Sequence, residues 1–277
     1  MKKTFGTICL FLMACLGMQA AQVDTLLVRS ESMNKDIKVV TIRPDKAVKG
    51  EKCPVIYLLH GHGGQAKTWI DVRPDLPEIA DRDGIIFVCP DGNRDSWYWD
   101  SPVVKESRYE TFISKELIEY TDKNLNAIPD RSKRAITGLS MGGHGAVNLF
   151  LDHPENFRAA GSMSGVLDLQ LTSLRDTELA EVIGDKKERI DAESAVTRVA
   201  EKAEQLKQMD KPIIVTCGYN DVYVCCTDVF SQKCRELDVP HIKILSPGKH
   251  SWPYWGFALE QHLWHFNKIL KGDNLGY

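Results

Sequence analysis

A chain of 277 residues, 43% hydrophobic and 26% charged, is long enough to bury a substantial core and too evenly mixed for disorder, a coiled coil or collagen. Its 35 Lys and Arg against 38 Asp and Glu leave a net charge of −3, and no stretch gathers basic residues with aromatics, so nucleic acid is excluded as a partner.

The chain opens on an address. Lys2 and Lys3 precede the apolar run 8–16, and the small residues Ala20 and Ala21 follow, in the order of a secretory signal peptide over 1–21. Cleavage leaves a single domain over 22–277 with a net charge of −5, exported to the periplasm or the medium. Leu12-Met13-Ala14-Cys15 also has the form of a lipoprotein cleavage site, which would tether the protein through Cys15. No run reaches the roughly 20 apolar residues a spanning helix needs. Of the six cysteines beyond the signal, Cys53, Cys89 and Cys217 sit in or beside apolar runs as small buried hydrophobes. Cys225, Cys226 and Cys234 are the ones available for a bond, and the absence of C-x-x-C removes a zinc ribbon or thioredoxin-like site.

Short apolar runs at 39–42, 55–59, 85–89, 135–137, 159–163, 213–217 and 242–245 read as strands, several of them apolar throughout, as in a sheet covered on both faces. Amphipathic stretches lie between them. In 107–120, Tyr109, Ile113, Leu117 and Tyr120 recur at helical spacing while Glu110, Lys115, Glu116 and Glu119 are left for solvent. Further helices are expected after Ser140, over 200–209 and 227–237, and over 257–270. The alternation predicts an α/β fold with a mainly parallel, doubly wound sheet flanked by helices. The less regular 167–190 is expected as a cap beside the sheet edge.

The strongest chemical signal is Gly138-Leu139-Ser140-Met141-Gly142, at the end of a strand and the start of a helix. This is a nucleophile elbow: a sharp turn forces the Ser into strained backbone angles, flanking glycines remove Cβ clashes, and the hydroxyl projects above the sheet. A Ser hydroxyl needs a base, and the base needs an orienting carboxylate, in the chain order Ser, acid, His. His144 and His153 ride on the elbow helix itself, and His262 and His265 lie on the last helix. His250 is in the turn-rich Ser246-Pro247-Gly248-Lys249-His250-Ser251-Trp252 after the last strand, where the base belongs. Asp221 follows the preceding strand at its carboxyl end, the rim on which open α/β sheets assemble sites. Asp228 is its nearest competitor and falls inside the next helix.

Two prearranged donors are needed for the oxyanion. The backbone N–H of Met141 supplies one. The loop Leu59-His60-Gly61-His62-Gly63-Gly64 supplies the other, assigned to the N–H of His62. His60-Gly61-His62 also has the H-x-H spacing of a metal site, but no Asp or Glu follows closely as a third ligand, so no metal is assigned.

These residues resemble the α/β-hydrolase superfamily, in the branch of esterase D-like and feruloyl or acetyl-xylan esterase-like enzymes, over 37–270. Four blocks carry the likeness: His60-Gly61-His62-Gly63-Gly64; Pro90-Asp91-Gly92-Asn93-Arg94-Asp95-Ser96-Trp97-Tyr98 with Asp100-Ser101-Pro102; Gly138-Leu139-Ser140-Met141-Gly142-Gly143; and Gly248-Lys249-His250-Ser251-Trp252-Pro253-Tyr254-Trp255. The resemblance implies Ser140 as nucleophile, Asp221 as acid, His250 as base, and Trp97, Tyr98 and Trp252 close to the rim as substrate-binding residues. The Cys225-Cys226 pair and apolar Val222 and Val224 depart from relatives that are more polar after the acid. The expected activity is an exported serine carboxylesterase working through an acyl-enzyme, without a cofactor, on acylated carbohydrate or small acetyl- or feruloyl-type esters. Export argues against a glutathione thioester. The alternatives are acyl transfer or peptide cleavage by the same triad, or a non-catalytic carbohydrate-binding relative. Nothing in the sequence fixes the oligomeric state.

Overall fold

A computed structural model describes residues 21–172, 179–184, 187–209 and 212–273. The signal segment, including Cys15, lies outside the described residues but for Ala21.

Eight strands form one sheet in the order β1-β2-β4-β3-β5-β6-β7-β8: β1 (Gln22–Ser30), β2 (Lys35–Arg43), β3 (Val55–Leu59), β4 (Ile86–Pro90), β5 (Arg134–Leu139), β6 (Ala159–Met163), β7 (Ile213–Gly218) and β8 (His241–Ser246). From β4 to β8 every pairing is parallel, while β1 and β2 join as an antiparallel hairpin. All seven expected strands are present. The eighth, β1, is not among them: its short apolar stretch 26–28 lies on an edge strand, and of its nine residues only Val28 and Ser30 are buried. Its pairing with β2, rather than its own composition, makes it a strand.

Helices α1 (Asp45–Val48), α2 (Thr68–Val72), α3 (Leu76–Asp83), α4 (Tyr109–Thr111), α5 (Leu117–Asn124), α6 (Met141–Asp152), α7 (Ala180–Ile183), α8 (Lys187–Glu193), α9 (Ala195–Glu201), α10 (Ala203–Leu206), α11 (Val224–Glu236) and α12 (Trp252–Lys271) fill the connections. Successive strand residues point to opposite faces, so each strand feeds two cores. Val55, Tyr57 and Leu59 meet Leu117, Phe150, Val199 and Phe230 from α5, α6, α9 and α11 on one face. On the other, Ile56 and Leu58 meet Ile79 from α3 and Leu259, Leu263 and Phe266 from α12. That double burial is why the central strands are apolar throughout.

Three expectations change in detail. The helix expected over 107–120 is broken by a π-helical turn at Phe112–Glu116, and two of its carboxylates are tied down rather than solvated. Glu110 accepts from His153 Nε2 at 2.9 Å, and Glu116 accepts from Ser30 Oγ at 2.6 Å, bracing the hairpin. The last helix starts earlier than 257, at Trp252, because Pro253 occupies its first turn with φ already set. The described parts of 167–190 lie on the carboxyl-end rim, not at a sheet edge: Ser101 Oγ bonds the Val182 carbonyl, and Thr172 Oγ1 lies 3.1 Å from Tyr223 Oη.

The six described cysteines beyond the signal are free, and only Cys225 is exposed. Burial pushes the Cys217, Cys226 and Cys234 thiols up to about 12.

Candidate active site

The site sits where β3, β5, β7 and β8 end. After β5 the chain turns into α6 through Ser140, whose φ of +52° and ψ of −118° hold it off the usual wells, at a cost of roughly 1–3 kcal/mol. Gly138 and Gly142 permit the turn by their lack of side chain. A Cβ on Gly138 would lie 2.4 Å from the Gly142 carbonyl oxygen, and one on Gly142 would lie 2.5 Å from the carbonyl oxygens of both Leu59 and His60. The backbone of the loop after β3 is therefore seated directly on the elbow, with His62 at its bend and Met141 at the first turn of α6.

A second close approach brings acid and base together. A Cβ on Gly218, the last residue of β7, would lie 2.4 Å from the carbonyl carbon of Gly248. The loops after β7 and β8 thus cross in contact, pinned by Asn220 N–H donating to the Gly248 carbonyl at 3.0 Å. The crossing sets the Asp221 carboxylate against His250 Nδ1, at 3.0 and 3.1 Å, and points His250 Nε2 at Ser140 Oγ, 3.0 Å away.

Asp221 is buried, and burial alone would raise its pKa. The hydrogen bonds from His250 and from the Tyr223 N–H (2.8 Å) outweigh that, and its carboxyl is held below the ordinary value. An ionised carboxylate on Nδ1–H fixes the tautomer that leaves Nε2 free to accept the hydroxyl proton. Asp228, the competing acid, is half-exposed and pairs with Lys243 Nζ at 2.5 Å on the surface of α11, away from His250.

Two residues the sequence did not single out close around the base. The ring of Tyr223 meets His250 edge-on at 5.1 Å, and the buried ring of Trp255 meets it at 4.8 Å. Trp255 is three residues after Trp252 on one helix face, the spacing that could have signalled a pair; the two rings are 4.9 Å apart.

The three aromatics expected at the rim divide. Trp252 is half-exposed there. Trp97 and Tyr98 are each 1% exposed and offer no ring face to a substrate. Both lie at positive φ (+53° and +64°), which turns them inward: Trp97 stacks on Trp99 at 5.8 Å, and Tyr98 Oη donates to the His60 carbonyl at 3.0 Å. His60 is likewise buried, with Nδ1 donating to the Gly61 carbonyl and Nε2 accepting from Gly92 N–H, both at 2.8 Å. Its ring nitrogens are committed to holding the loop, which leaves the H-x-H pair without a first ligand.

Two further histidines are held inside the fold. His144 Nδ1 donates to the Val166 carbonyl at 2.9 Å, and burial pushes its pKa down to about 3. His262 lies between Thr137 (2.8 Å) and Thr216 (3.1 Å) under the sheet, and burial likewise pushes its pKa down to about 3.

The chain as a whole is similar to known proteins. Residues 30–266 match the Esterase family profile. An acetyl esterase from Caldicellulosiruptor saccharolyticus is 28% identical over 247 residues, 82% of this chain and 91% of that enzyme. The solved structure of a ferulic acid esterase superposes with a TM-score of 0.77 at 28% identity, covering 90% of this chain and 99% of the other. A diacylglycerol acyltransferase/mycolyltransferase Ag85A from Mycobacterium leprae is 37% identical over 155 residues, 53% of this chain and 44% of that protein's length. The eight-stranded, mostly parallel sheet with helices on both faces agrees with those matches, and the chain belongs to the Esterase family of α/β-hydrolases and is a carboxylic ester hydrolase.

Proposed function

We propose that the protein is an exported serine carboxylesterase that removes small acyl groups, of acetyl or feruloyl type, from carbohydrate through an acyl-enzyme. The observation that carries this reading is the unbroken hydrogen-bonded line from Ser140 Oγ through His250 to the buried carboxylate of Asp221. His250 Nε2 takes the Ser140 proton as Oγ attacks the ester carbonyl carbon. The resulting oxyanion is held by the N–H groups of Met141 and His62. As the tetrahedral adduct collapses, the imidazolium returns its proton to the departing alkoxide, leaving acyl-Ser140 and free alcohol. Water then repeats the sequence: His250 takes its proton, hydroxide adds to the acyl carbon, and Ser140 leaves with the proton from His250. No cofactor enters the scheme.

An acyl group of acetyl or feruloyl type is supported by the acetyl and ferulic acid esterase relatives, and export by the secretory order of residues 1–21. No helix among the described residues is long and apolar enough to cross a membrane. The deciding experiment follows p-nitrophenyl acetate, methyl ferulate and acetylated xylan with the native chain and Ser140→Ala. Loss of all turnover by about 10⁴-fold or more, with an acyl adduct on Ser140 by intact mass, supports the reading. Unchanged turnover in Ser140→Ala overturns it. Acyl transfer, favoured by the Ag85A likeness, is separated by adding acceptor alcohols: ester product in place of free acid marks a transferase. Intact mass of the exported protein decides between a free N-terminus after residue 20 or 21 and a lipid on Cys15.

A further inference from the structure

A groove of about 830 Å³ runs between α2 and the first turns of α12, with Trp252, two residues after His250, in its wall. Its walls continue the two loops that build the site. The loop of His60 to Gly64 leads into α2, and the loop of His250 leads into α12. Trp252 stands at the near end, joined to His250 through the edge-on pair with Trp255. Phe257 lines the groove as well, and both rings are about half-exposed, at 50% and 53%. Asp71, paired with Lys67 at 3.4 Å, and Glu260 also line it.

The floor is rigid. Arg73 donates to the Gly256 carbonyl at 2.7 Å, to Glu260 at 2.5 Å and to Asp75 at 2.6 Å, bolting α2 to α12. The guanidinium is held up in pKa by its bonds to Asp75 and Glu260 even though burial opposes the charge, so the bolt stays charged at any working pH. Four of its five N–H donors are spent on the protein. What the groove leaves for a ligand is two aromatic faces and the carboxylate oxygens of Asp71 and Glu260 that are not taken by Lys67 and Arg73.

The geometry points to this groove as a subsite for the saccharide chain of the ester, taken up on the side of the leaving alcohol; the inference rests on the esterase reading above. A sugar ring has an apolar C–H face that packs on an aromatic ring and a perimeter of hydroxyls that donate to carboxylates, and the groove offers both surfaces side by side. An acyl tail would need a dry apolar wall, and Asp71 and Glu260 interrupt this one. Continuity with the His250 loop places the subsite next to the alcohol rather than in a separate cavity.

The test uses the native chain, Phe257→Ala and Asp71→Ala on acetylated oligosaccharides of increasing length from xylan, glucomannan and pectin, beside p-nitrophenyl acetate. In the native enzyme kcat/KM rises with saccharide length on at least one of these. Each variant loses that rise by about tenfold, through KM with kcat held, because the contact is made equally in ground and transition states. Turnover of p-nitrophenyl acetate stays within about twofold, and a thermal melt confirms the fold. Two results overturn the proposal: no length dependence on any of the three series, or variants whose losses follow acyl length across p-nitrophenyl butyrate to decanoate instead of saccharide length. Either leaves Ser140-dependent cleavage intact, whereas failure of the esterase reading itself shows as full turnover in Ser140→Ala.

Discussion

Two imidazoles near the carboxyl end of the sheet are bonded in the same pattern and differ in what they face. His250 has Nδ1 on the Asp221 carboxylate, Nε2 on Ser140 Oγ, and a side chain 24% exposed. His144 has Nδ1 on the Val166 carbonyl, Nε2 near the Asn148 amide at 3.1 Å, and no exposure. For His144, burial is the dominant influence and drives its pKa to about 3; the carbonyl bond opposes this weakly, and Arg198 adds to it. A carbonyl dipole cannot stand in for a carboxylate when an imidazole must hold a proton in low dielectric. The difference teaches that burial and the partner of Nδ1 together separate a histidine that serves as a strut from one placed to cycle its proton.

The comparison is broken most directly by turning the partner of His250 into an amide. Asp221→Asn keeps shape and removes charge, so kcat is expected to fall by about 10⁴-fold with the melting temperature little changed, because an Asn can hold the wrong tautomer. Steady-state kinetics on p-nitrophenyl acetate measures it. A loss under tenfold would remove Asp221 from the acid role.

The converse change is made at the strut. His144→Phe keeps a flat ring, slightly larger, but strands the Val166 carbonyl in the core, and the fold is expected to weaken by about 1–3 kcal/mol. Urea unfolding gives that figure, while kcat per folded molecule stays within a few-fold. An inactive but equally stable variant would mean that His144 takes part in the chemistry.

The strut histidines also give a pH signature. His144 and His262 titrate near 3 in the fold and near their ordinary value when unfolded. Between those limits the unfolded chain binds the extra protons, so stability rises with pH and is lost as pH falls from about 6.5 toward 3. Each group steepens the dependence by up to about 1.4 kcal/mol per pH unit in that window. Unfolding midpoints at pH 7, 6 and 5 should show the fall, and His262→Gln, whose amide can still reach Thr137 and Thr216, should flatten it by about one proton. An equal slope in the variant would mean that His262 is hydrated and titrates normally.

These contrasts also mark what a sequence can carry. The seven expected strands and the Ser140, Asp221 and His250 positions were legible because each depends on local pattern: burial on both faces leaves the central strands β3 and β4 apolar, the others keep a shorter apolar stretch, and a strand end followed by a turn leaves Gly, Pro and Asp. What was not legible depends on partners far away in the chain. Strand β1 exists through β2, Trp97 and Tyr98 are turned inward by two consecutive positive φ values that no Gly announces, and Tyr223 and Trp255 meet His250 only because the loops at Gly218 and Gly248 cross. The same limit left His262 unplaced on an amphipathic helix, when it in fact bridges two threonines of β5 and β7.

The smallest expected effect sharpens the assignment of the acid. Asp221 and Asp228 are seven residues apart, and the sequence offered both. One lies buried at a loop crossing and the other is half-exposed beside Lys243, on the far side of a helical turn. A surface pair of that kind stabilises a fold by well under about 1 kcal/mol, since water and salt screen it and ordering two side chains offsets the attraction. Asp228→Asn should therefore shift the urea midpoint barely, and less still at high salt, and leave kcat/KM on p-nitrophenyl acetate at the native value. Set beside the collapse expected of Asp221→Asn, the same chemical change seven residues along separates a carboxylate that orients a base from one that only decorates a helix. Matching losses in the two variants would mean that the two carboxylates share the work, and that the loop crossing at Gly218 does not by itself select the acid.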